Sequence, residues 1–170
     1  MAKAYKVTSD PFYINGSVTS ANGNDYTEVQ ISAPLDSLNR EGMLIHAVYF
    51  TSSQPDRVAN QTSLMHMQVT TTSKTGRTDA NDANLLASRE LIVTGGAVEF
   101  SGPHILDFIG QDTAFQAEDS LGIVATDDVF LALLGSNQTG AKSVQCRIVA
   151  SRIMLEASAY AALVTNELSS

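Results

Sequence analysis

Short apolar segments alternate with polar turns along the whole chain, and this pattern predicts strands. Most of the segments are four to eight residues long, and Gly, Asn, Asp and Pro mark the turns between them, as in "SANGND", "SSQPD" and "SKTGRTDAND". Many short strands at such spacing are typical of a β-sandwich or barrel. The ten segments are "AYKV", "PFYI", "TEVQI", "MLIHAVYF", "SLMHMQVT", "RELIVTGGAVEF", "HILDFI", "SLGIVAT", "DVFLALLG" and "SVQCRIVASRIML".

The clearest strand is "SVQCRIV", because its polarity alternates with a period of two. This alternation predicts that Val144, Cys146 and Ile148 face a core, and that Gln145 and Arg147 face outward. The polar loop before it, "GSNQTGAK", is expected to connect two paired strands. Both Arg147 and Arg152 are expected to face the solvent or a neighbouring subunit.

Two segments, "MLIHAVYF" and "DVFLALL", are nearly continuous apolar runs. An antiparallel strand normally has one face in water. Continuous runs therefore indicate that the second face is also covered, by a helix, a loop or another subunit. Of these three, we favour another subunit.

The tail "LEASAYAALVTNEL" predicts a C-terminal helix over about residues 157–168, capped by Ser158. Alanine has the highest helix propensity, and the apolar side chains recur on one face; they are Tyr160, Leu163, Val164 and Leu168. This helix is expected to pack on an end of the sheets or on a neighbouring subunit.

Two shorter helical turns are also predicted. In "APLDSLNREG", Pro34 precedes Leu35 and Leu38, and Gly42 is a stop signal. In "DANDANLLASREL", Asp79 or Asp82 is expected to start the second turn.

The length of 170 residues suits one domain, spanning 1–170 with an N-terminal arm over about 1–12. The net charge is −8, and Lys and Arg are scattered singly, which argues against binding to nucleic acid or to an anionic membrane surface. The start "MAKAYKVTSD" has no apolar signal region, and no apolar run approaches 18 residues. We expect synthesis in the host cytoplasm and no membrane insertion.

Candidate chemical groups are few. His46, His66 and His104 are isolated, and no His-x-His pair is present, so a metal site built from the three is a minor alternative to histidines in a core or interface. Cys146 lies in the alternating strand and is expected to be a small buried hydrophobic residue. The sequence predicts no catalytic residue, no cofactor and no metal.

The remaining motifs have ordinary structural explanations. The loop "DANDAN", with Asp79, Asn81 and Asp82, lacks the spacing of a calcium loop, so a solvated loop is expected in preference to a calcium site. Asp127 and Asp128 are expected to end one strand and start the next. The "TGG" segment over 94–96 predicts a hairpin turn or bulge.

Two positions, Asn60 and Asn137, match the glycosylation sequon, and we expect both matches to be chance because no export signal precedes them. An enzyme is disfavoured, since no Gly-x-Ser-x-Gly elbow appears and the chain has no tryptophan.

The order of these features resembles single jelly-roll capsid proteins of tailless icosahedral viruses, and also jelly-roll decoration or spike subunits. "EGMLIHAVYF" follows a short turn, and "HILDF" precedes "LGIVATDDVFLALLGSNQTGAKSVQCRIVASRIMLEASAYAALV". The resemblance covers most of the chain and is one of pattern. It implies about eight antiparallel strands in two sheets, self-assembly and no catalytic site. A basic arm is missing, since only Lys3 and Lys6 lie near the start, so the expected place is a shell over an internal membrane or an outer layer.

The resulting prediction is a jelly-roll-like β-sandwich that acts as a virion structural protein. Its partners would be copies of itself, as a trimer or higher oligomer, and other virion proteins. The first alternative is a cellular carbohydrate- or ligand-binding β-sandwich with an aromatic platform drawn from Tyr13, Tyr26, Tyr49, Phe100 and Phe115. The second is a metal-dependent β-barrel enzyme that uses the three histidines.

Overall fold

A computed structural model describes residues 4–33, 35–96, 104–109 and 120–168 of the chain; at 37 and over 104–109 it describes the backbone alone. Ten strands follow the order of the ten apolar segments: β1 Tyr5–Val7, β2 Phe12–Ser20, β3 Thr27–Ser32, β4 Glu41–Ser52, β5 Thr62–Thr70, β6 Leu85–Thr94, β7 His104–Ile109, β8 Gly122–Val124, β9 Asp128–Ser136 and β10 Lys142–Leu155. A 3-10 turn, Ser37–Asn39, precedes β4, and the helix α1, Ala157–Leu168, follows β10.

The strand pairing is nested, as in one long hairpin. β2 pairs with β10, β3 with β9, β4 with β8 and β5 with β6, all antiparallel. Further pairing of β10 with β4, and of β9 with β5, rolls this hairpin into two five-stranded sheets. Eight strands wound in this way form a jelly roll. The predicted fold class is confirmed, including the short C-terminal helix.

Two strands are added to the eight of the jelly roll. β7 pairs with β6 at the edge of the second sheet. β1 pairs with the last part of β10, beside the stretch where β2 pairs. The arm predicted over 1–12 therefore contributes a short strand to the first sheet.

One prediction about connections is wrong. The loop between β9 and β10 was expected to join paired strands, yet β9 lies in the second sheet and β10 in the first. This loop crosses from one sheet to the other. Alternation within a strand shows which side chains are buried, but it does not identify the neighbouring strand.

The helical predictions have mixed outcomes. The C-terminal helix is present, but it begins at Ala157, so Ser158 lies inside its first turn. The first short turn is the 3-10 segment before β4, and Pro34 lies outside the described residues. The second is a loop turn in which the Asp82 amide donates to the Asp79 carbonyl over 3.0 Å.

The core fills the space between the two sheets. Alternate side chains of β2, β4 and β10 meet those of β3, β5 and β9, which is the packing expected of two stacked sheets. As predicted, Val144, Cys146 and Ile148 belong to this core. The other fully enclosed members include Met43, Ile45, Val48, Met65, Met67, Val69, Leu131 and Leu133.

A bulge in the first sheet changes what covers its outer face. The pairing of β4 with β10 jumps from Ala47 to Ile45, which leaves His46 as the extra residue. Beyond the bulge, Leu44 of β4 and Ile153 of β10 are buried in a second, smaller cluster. The apolar face of α1 covers this cluster through Tyr160, Leu163 and Val164.

The end of α1 is fastened to the first sheet by a buried carboxylate. The side chain of Glu167 accepts the backbone amides of Ala125, over 3.0 Å, and Thr126, over 2.8 Å. These amides follow β8 and have no strand partner at this position, so the carboxylate completes their hydrogen bonding. Leu168, predicted to share the packed face, is 75% exposed.

Replacing Glu167 by Ala should loosen the helix, because two buried amides lose their acceptor. We expect a loss of about 1–3 kcal/mol in the free energy of unfolding for each amide that stays without a partner. Urea denaturation followed by circular dichroism measures it. Glu167→Gln keeps one oxygen acceptor and should lose less. An Ala variant as stable as the Gln variant would contradict this role for the carboxylate.

Gly135 should tolerate no side chain. A Cβ built there would collide with the backbone carbonyl of Gly23, whereas a Cβ on Gly140 in the following loop meets nothing within 4 Å. Gly135→Ala forces two backbone segments apart, so we expect a loss of at least about 1–3 kcal/mol. Gly140→Ala is the matched control, and equal urea midpoints for the two variants would refute the prediction.

Candidate functional surfaces

The predicted histidine sites lie apart. His46 sits at the bulge of β4, where its Nε2 atom is 2.9 Å from the Ser151 hydroxyl. His66 lies on β5 in the other sheet. The side chain of His104 is outside the described residues. Within the part of the chain that is described, no three His, Cys, Asp or Glu side chains converge as a metal site would require.

The acidic loop motif is part of the internal hydrogen bonding. Asp82 accepts the Asn84 amide over 2.8 Å and pairs with the Lys74 ammonium over 3.0 Å. The pKa of Asp82 lies below its usual value; the hydrogen bond from the Asn84 amide is the larger cause, and the Lys74 contact the second. Both oxygens of this carboxylate therefore have protein partners. Asp79 and Asn81 are exposed.

Of the turn motifs, Asp128 begins a strand as predicted, whereas Asp127 does not end one, and the turn predicted over 94–96 leads into residues 97–103, which lie outside the described part of the chain. β8 ends at Val124 and β9 begins at Asp128, so Asp127 lies in the connection, where its carbonyl accepts the Ala33 amide over 2.6 Å. β6 ends at Thr94, and the chain then leads to its antiparallel partner β7.

The two sequons differ in their surroundings. Asn60 is an exposed turn residue with a φ of 60°. Asn137 has a φ of 56°, and its side-chain amide donates to the Thr62 carbonyl over 2.8 Å. The Asn137 side chain is thus already used to hold the loop between β9 and β10.

The same loop is held by an ion pair. The Lys142 ammonium lies 2.5 Å from the Asp56 carboxylate, which also accepts the Thr139 amide over 2.8 Å. The Lys142 hydrogen bond, followed by that from Thr139, lowers the pKa of Asp56 to about 2. The Asp56 carboxylate therefore stays charged throughout the neutral range, and its contacts join two connections at one end of the sandwich.

Residues 71–84, here called the strap, lie over the outer face of the second sheet. Its two ends meet: the Thr71 amide donates to the Asn84 carbonyl over 2.9 Å, and the Thr71 hydroxyl donates to the Asn84 side chain over 3.0 Å. The strap is thus a closed loop, and it covers the face of β5 that points away from the core.

The middle of the strap is held by Gln68 of β5, which is 1% exposed. Its amide nitrogen donates to the Gly76 carbonyl over 3.1 Å and to the Thr78 hydroxyl over 3.0 Å, while its oxygen accepts the Thr78 amide over 2.8 Å. These contacts fix which end of the Gln68 amide is the oxygen. A chain segment, not a second subunit, thus covers this part of the sheet.

His66 lies beneath the strap with oxygen atoms facing both ring nitrogens. Its Nε2 atom is 3.1 Å from the Gln68 oxygen, and its Nδ1 atom is 3.4 Å from the Glu90 carboxylate. The Arg77 guanidinium contacts the same carboxylate over 2.7 Å. Burial, with the Arg77 charge as a further cause, lowers the pKa of His66 against the opposing influence of Gln68 and Glu90.

Tyr26 borders this network on the second sheet. Its hydroxyl donates to Glu28 over 2.8 Å, and burial followed by this contact raises the pKa of Tyr26 well above its usual value. Glu28 also accepts the Ser73 hydroxyl over 2.6 Å and the Lys74 amide over 3.0 Å. Tyr26 therefore anchors the strap and offers little free aromatic surface.

Half of the outer face of the first sheet is covered by no segment of the described residues. Here Arg147 of β10 lies opposite Asn15 of β2 on one side and opposite Tyr49 of β4 on the other. Tyr13 stands two residues further along β2. Tyr13 and Tyr49 are 65% and 53% exposed, and we call this area the open face.

Of the five aromatic residues in the predicted platform, the structure thus brings Tyr13 and Tyr49 together. Tyr26 lies on the other sheet, and Phe100 and Phe115 lie outside the described residues. Arg147 at their centre was predicted to point outward, but its place between the two tyrosines follows only from the register of three strands. Cys146 beside it is buried, and burial raises the pKa of its thiol to about 11.

A second exposed area lies at the opposite end of the first sheet, around the ends of β1, β10 and α1. Val7 pairs with Ile153. Met154 pairs with Lys6 on one side and, on the other, with Glu41, which follows the 3-10 turn. The exposed large hydrophobic residues of these elements are Val7, Leu38, Met154 and Leu168, which are 49%, 93%, 44% and 75% exposed, and we call them together the apolar end. Val7 shares the face of Ile153, which α1 covers, whereas Met154 lies on the opposite face of the sheet.

No helix in the described part of the chain is long and apolar enough to cross a bilayer; α1 has 12 residues.

Comparisons with known proteins give only distant structural likenesses. No family model matches the sequence, and no curated protein does. A solved structure from Desmodium yellow mottle tymovirus is 16% identical in sequence. The match covers 90% of this chain and 88% of that chain, at a TM-score of 0.28. The structure of VP1 from trichodysplasia spinulosa-associated polyomavirus is 9% identical in sequence. The match covers 92% of this chain and 97% of that chain, at a TM-score of 0.34. The structure of the empty head of turnip yellow mosaic virus is 13% identical in sequence. The match covers 88% of this chain and 83% of that chain, at a TM-score of 0.28. At such TM-scores, the assignment to the jelly roll rests on the strand pairing.

His66 should make the protein less stable as the pH falls. Because its pKa in the folded chain lies below the usual value of about 6.5, the unfolded chain takes up a proton first. The free energy of unfolding is therefore unaffected by the protonation of this histidine above about pH 6.5, and it decreases as the pH falls from there towards the folded pKa of His66. Urea midpoints between pH 7.5 and 5.5 measure this, and His66→Gln should flatten the slope. Parallel slopes for the two proteins would contradict it.

Proposed function

We propose that the chain is a virion structural subunit, a capsid or capsid-associated protein that assembles with copies of itself and performs no catalysis. The observation that carries this proposal is the nested pairing of eight strands in a jelly roll, an architecture used by viral capsid domains as well as by lectins and cupins. Because one fold serves several functions, the surface has to discriminate among them.

The apolar end supports assembly. Val7, Leu38, Met154 and Leu168 expose large apolar side chains. Burying such a group removes apolar area from water at about 25 cal/mol per Å², before the cost of association is subtracted. The occupant that we propose is the same end of a second copy, in a trimer or higher oligomer that also contacts other virion proteins.

The continuous apolar runs support assembly less than the sequence suggested. The second face of β4 is covered beyond the bulge by α1 of the same chain, and the strap covers the outer face of β5 in the sheet that contains β9. Their apolar character is thus largely explained by contacts within the subunit. The proposal depends instead on the side chains that remain exposed.

The charge distribution favours a position away from the genome. The net charge is −8, and Lys142, Lys74 and Arg77 are each paired with a carboxylate. The acidic balance of the chain, and the scattering of its cations, disfavour binding to phosphates. We propose a shell over an internal membrane, or an outer layer on the particle, with the subunit reaching the virion after synthesis in the host cytoplasm.

A second candidate function is a ligand-binding β-sandwich, and the open face favours it. Tyr13 and Tyr49 lie on one exposed surface of the first sheet, on either side of Arg147. The two candidates are tested separately, the first by the oligomeric state of the protein and the second by ligand binding.

The purified protein should form homo-oligomers whose mass is a multiple of 18.1 kDa. Light scattering after size-exclusion chromatography measures this mass. Leu38→Asp should reduce it to that of the monomer, because a charge in the proposed contact would have to lose its water. Leu38 is 93% exposed, so the folded monomer should keep its thermal midpoint.

The matched control places the same charge elsewhere. Asn60→Asp adds a carboxylate at an exposed turn whose left-handed backbone Asp also tolerates, and it should leave the oligomer intact. A wild-type protein that remains monomeric at high concentration would refute assembly. An oligomer that survives Leu38→Asp would refute the apolar end as its contact.

A further inference from the structure

The open face carries a cation without an acidic partner. Among the described residues, no carboxylate lies in salt-bridge range of Arg147, although the chain has 18 acidic and 10 basic residues. Its Nε atom donates to the Asn15 side chain over 3.3 Å, and its guanidinium carbon lies 5.5 Å from the centre of the Tyr13 ring. These two contacts orient the guanidinium and leave its charge unneutralised.

The surroundings of Arg147 form a shallow depression. Its volume is about 820 Å³, within the range of about 300–1,000 Å³ of ligand sites. The side chains that line it are Tyr13, Asn15, Ser17, Tyr49, Thr51 and Arg147. These side chains, together with Gln145 and Cys146 of β10, belong to three strands, β2, β10 and β4, that pair along this stretch, so the depression is built on regular elements. It is open to solvent along its length, which suits a ligand that remains partly hydrated.

The two tyrosines define its span. They stand on β2 and β4 with β10 between them, and they are offset by two residues along the strands, since Tyr13 pairs with Val149 and Tyr49 with Arg147. Strand spacings of about 4.8 Å and a rise of about 3.4 Å per residue separate their Cα atoms by about 12 Å. That distance suits a di- or trisaccharide, with one ring against each tyrosine and a charged group at Arg147 between them.

We propose that the open face binds a glycan that contains a carboxylate. Tyrosine rings offer flat apolar surfaces to the C–H faces of sugar rings, while Asn15 and Thr51 offer hydrogen bonds to hydroxyl groups. A guanidinium binds a carboxylate through two parallel hydrogen bonds, which a neutral sugar cannot provide. The proposal is independent of self-assembly, because the apolar end lies elsewhere on the subunit.

Other occupants fit this face less well. A nucleic acid needs several cations along its path, and this face has Arg147 in a chain with a net charge of −8. The centre of a protein interface is usually apolar and depleted of charge, whereas the centre of this face is Arg147, with Asn15, Ser17 and Thr51 around it. A carboxylate-bearing sugar satisfies both the single charge and the polar surroundings.

The test measures binding of two defined trisaccharides, sialyllactose and trigalacturonate, with lactose as the neutral comparison. Isothermal titration should detect at least one of the two acidic sugars at millimolar concentration or below, and lactose should bind at least tenfold more weakly. Arg147→Gln should weaken the acidic sugar at least tenfold, because hydrogen bonds from a charged group are the stronger kind. Arg147→Lys keeps the charge but loses the two-pronged geometry, and it should be intermediate.

Two further variants separate the tyrosine contact from the overall charge. Tyr49→Ser should weaken the acidic sugar and leave the thermal midpoint unchanged, since the side chain is half-exposed. Lys6→Gln lowers the net charge by the same amount as Arg147→Gln, but on β1, and it should bind as the wild type does. Equal weakening by Lys6→Gln would reduce the effect to overall charge and overturn the site.

The remaining outcomes are also decisive. If neither acidic sugar binds at ten millimolar, or if Arg147→Gln binds as well as the wild type, the proposal is wrong. If lactose binds equally, the carboxylate is not recognised, and the assignment to acidic glycans fails. If acetate displaces the sugar at the sugar's own concentration, the face holds a simple anion and the sugar rings contribute nothing. Each of these results leaves the question of self-assembly untouched.

Discussion

The pairing of β10 with β4 is the contact on which the rest of this structure depends. β10 is 14 residues long and lies late in the sequence, and its other edge pairs with β1 and β2 from the start of the chain. Without this pairing, the nested hairpin would remain a long ribbon with two wet faces. With it, the inner sides of both sheets enclose one core, and the ends of the chain meet in one sheet.

The bulge in that pairing divides the outer face of the first sheet into two functionally different halves. On one side of His46, the chain supplies its own cover through α1, and Glu167 fixes the end of the helix. On the other side no segment of the described chain crosses the sheet, and Arg147 lies among tyrosines and amides. A single extra residue thus separates the part of the sheet that the subunit completes by itself from the part that faces the solvent.

The sequence was sufficient for the elements and insufficient for their partners. Alternation in "SVQCRIV" is a local property, so the burial of Val144, Cys146 and Ile148 could be predicted. The neighbours of β10 depend on contacts more than a hundred residues apart, and the loop before it was therefore assigned to the wrong kind of connection. The same limit applies to the open face: Tyr13, Arg147 and Tyr49 are each recognisable as outward, but only the register of three strands brings them together. The strap and Gln68 gave no sequence signal, because a buried glutamine is polar and resembles a surface residue.

The closed shape of the strap has a consequence for motion. Its ends are joined through Thr71 and Asn84, and its middle is held by the side chains of Gln68, Glu28 and Glu90, so it can detach while every pairing between strands persists. Local opening of this kind needs less free energy than global unfolding and is seen as faster amide hydrogen exchange. Exchange in the strap should therefore exceed that of β5 beneath it, and each opening would admit water to His66. The rate at which this histidine meets protons is then set by the strap and not by the stability of the whole fold.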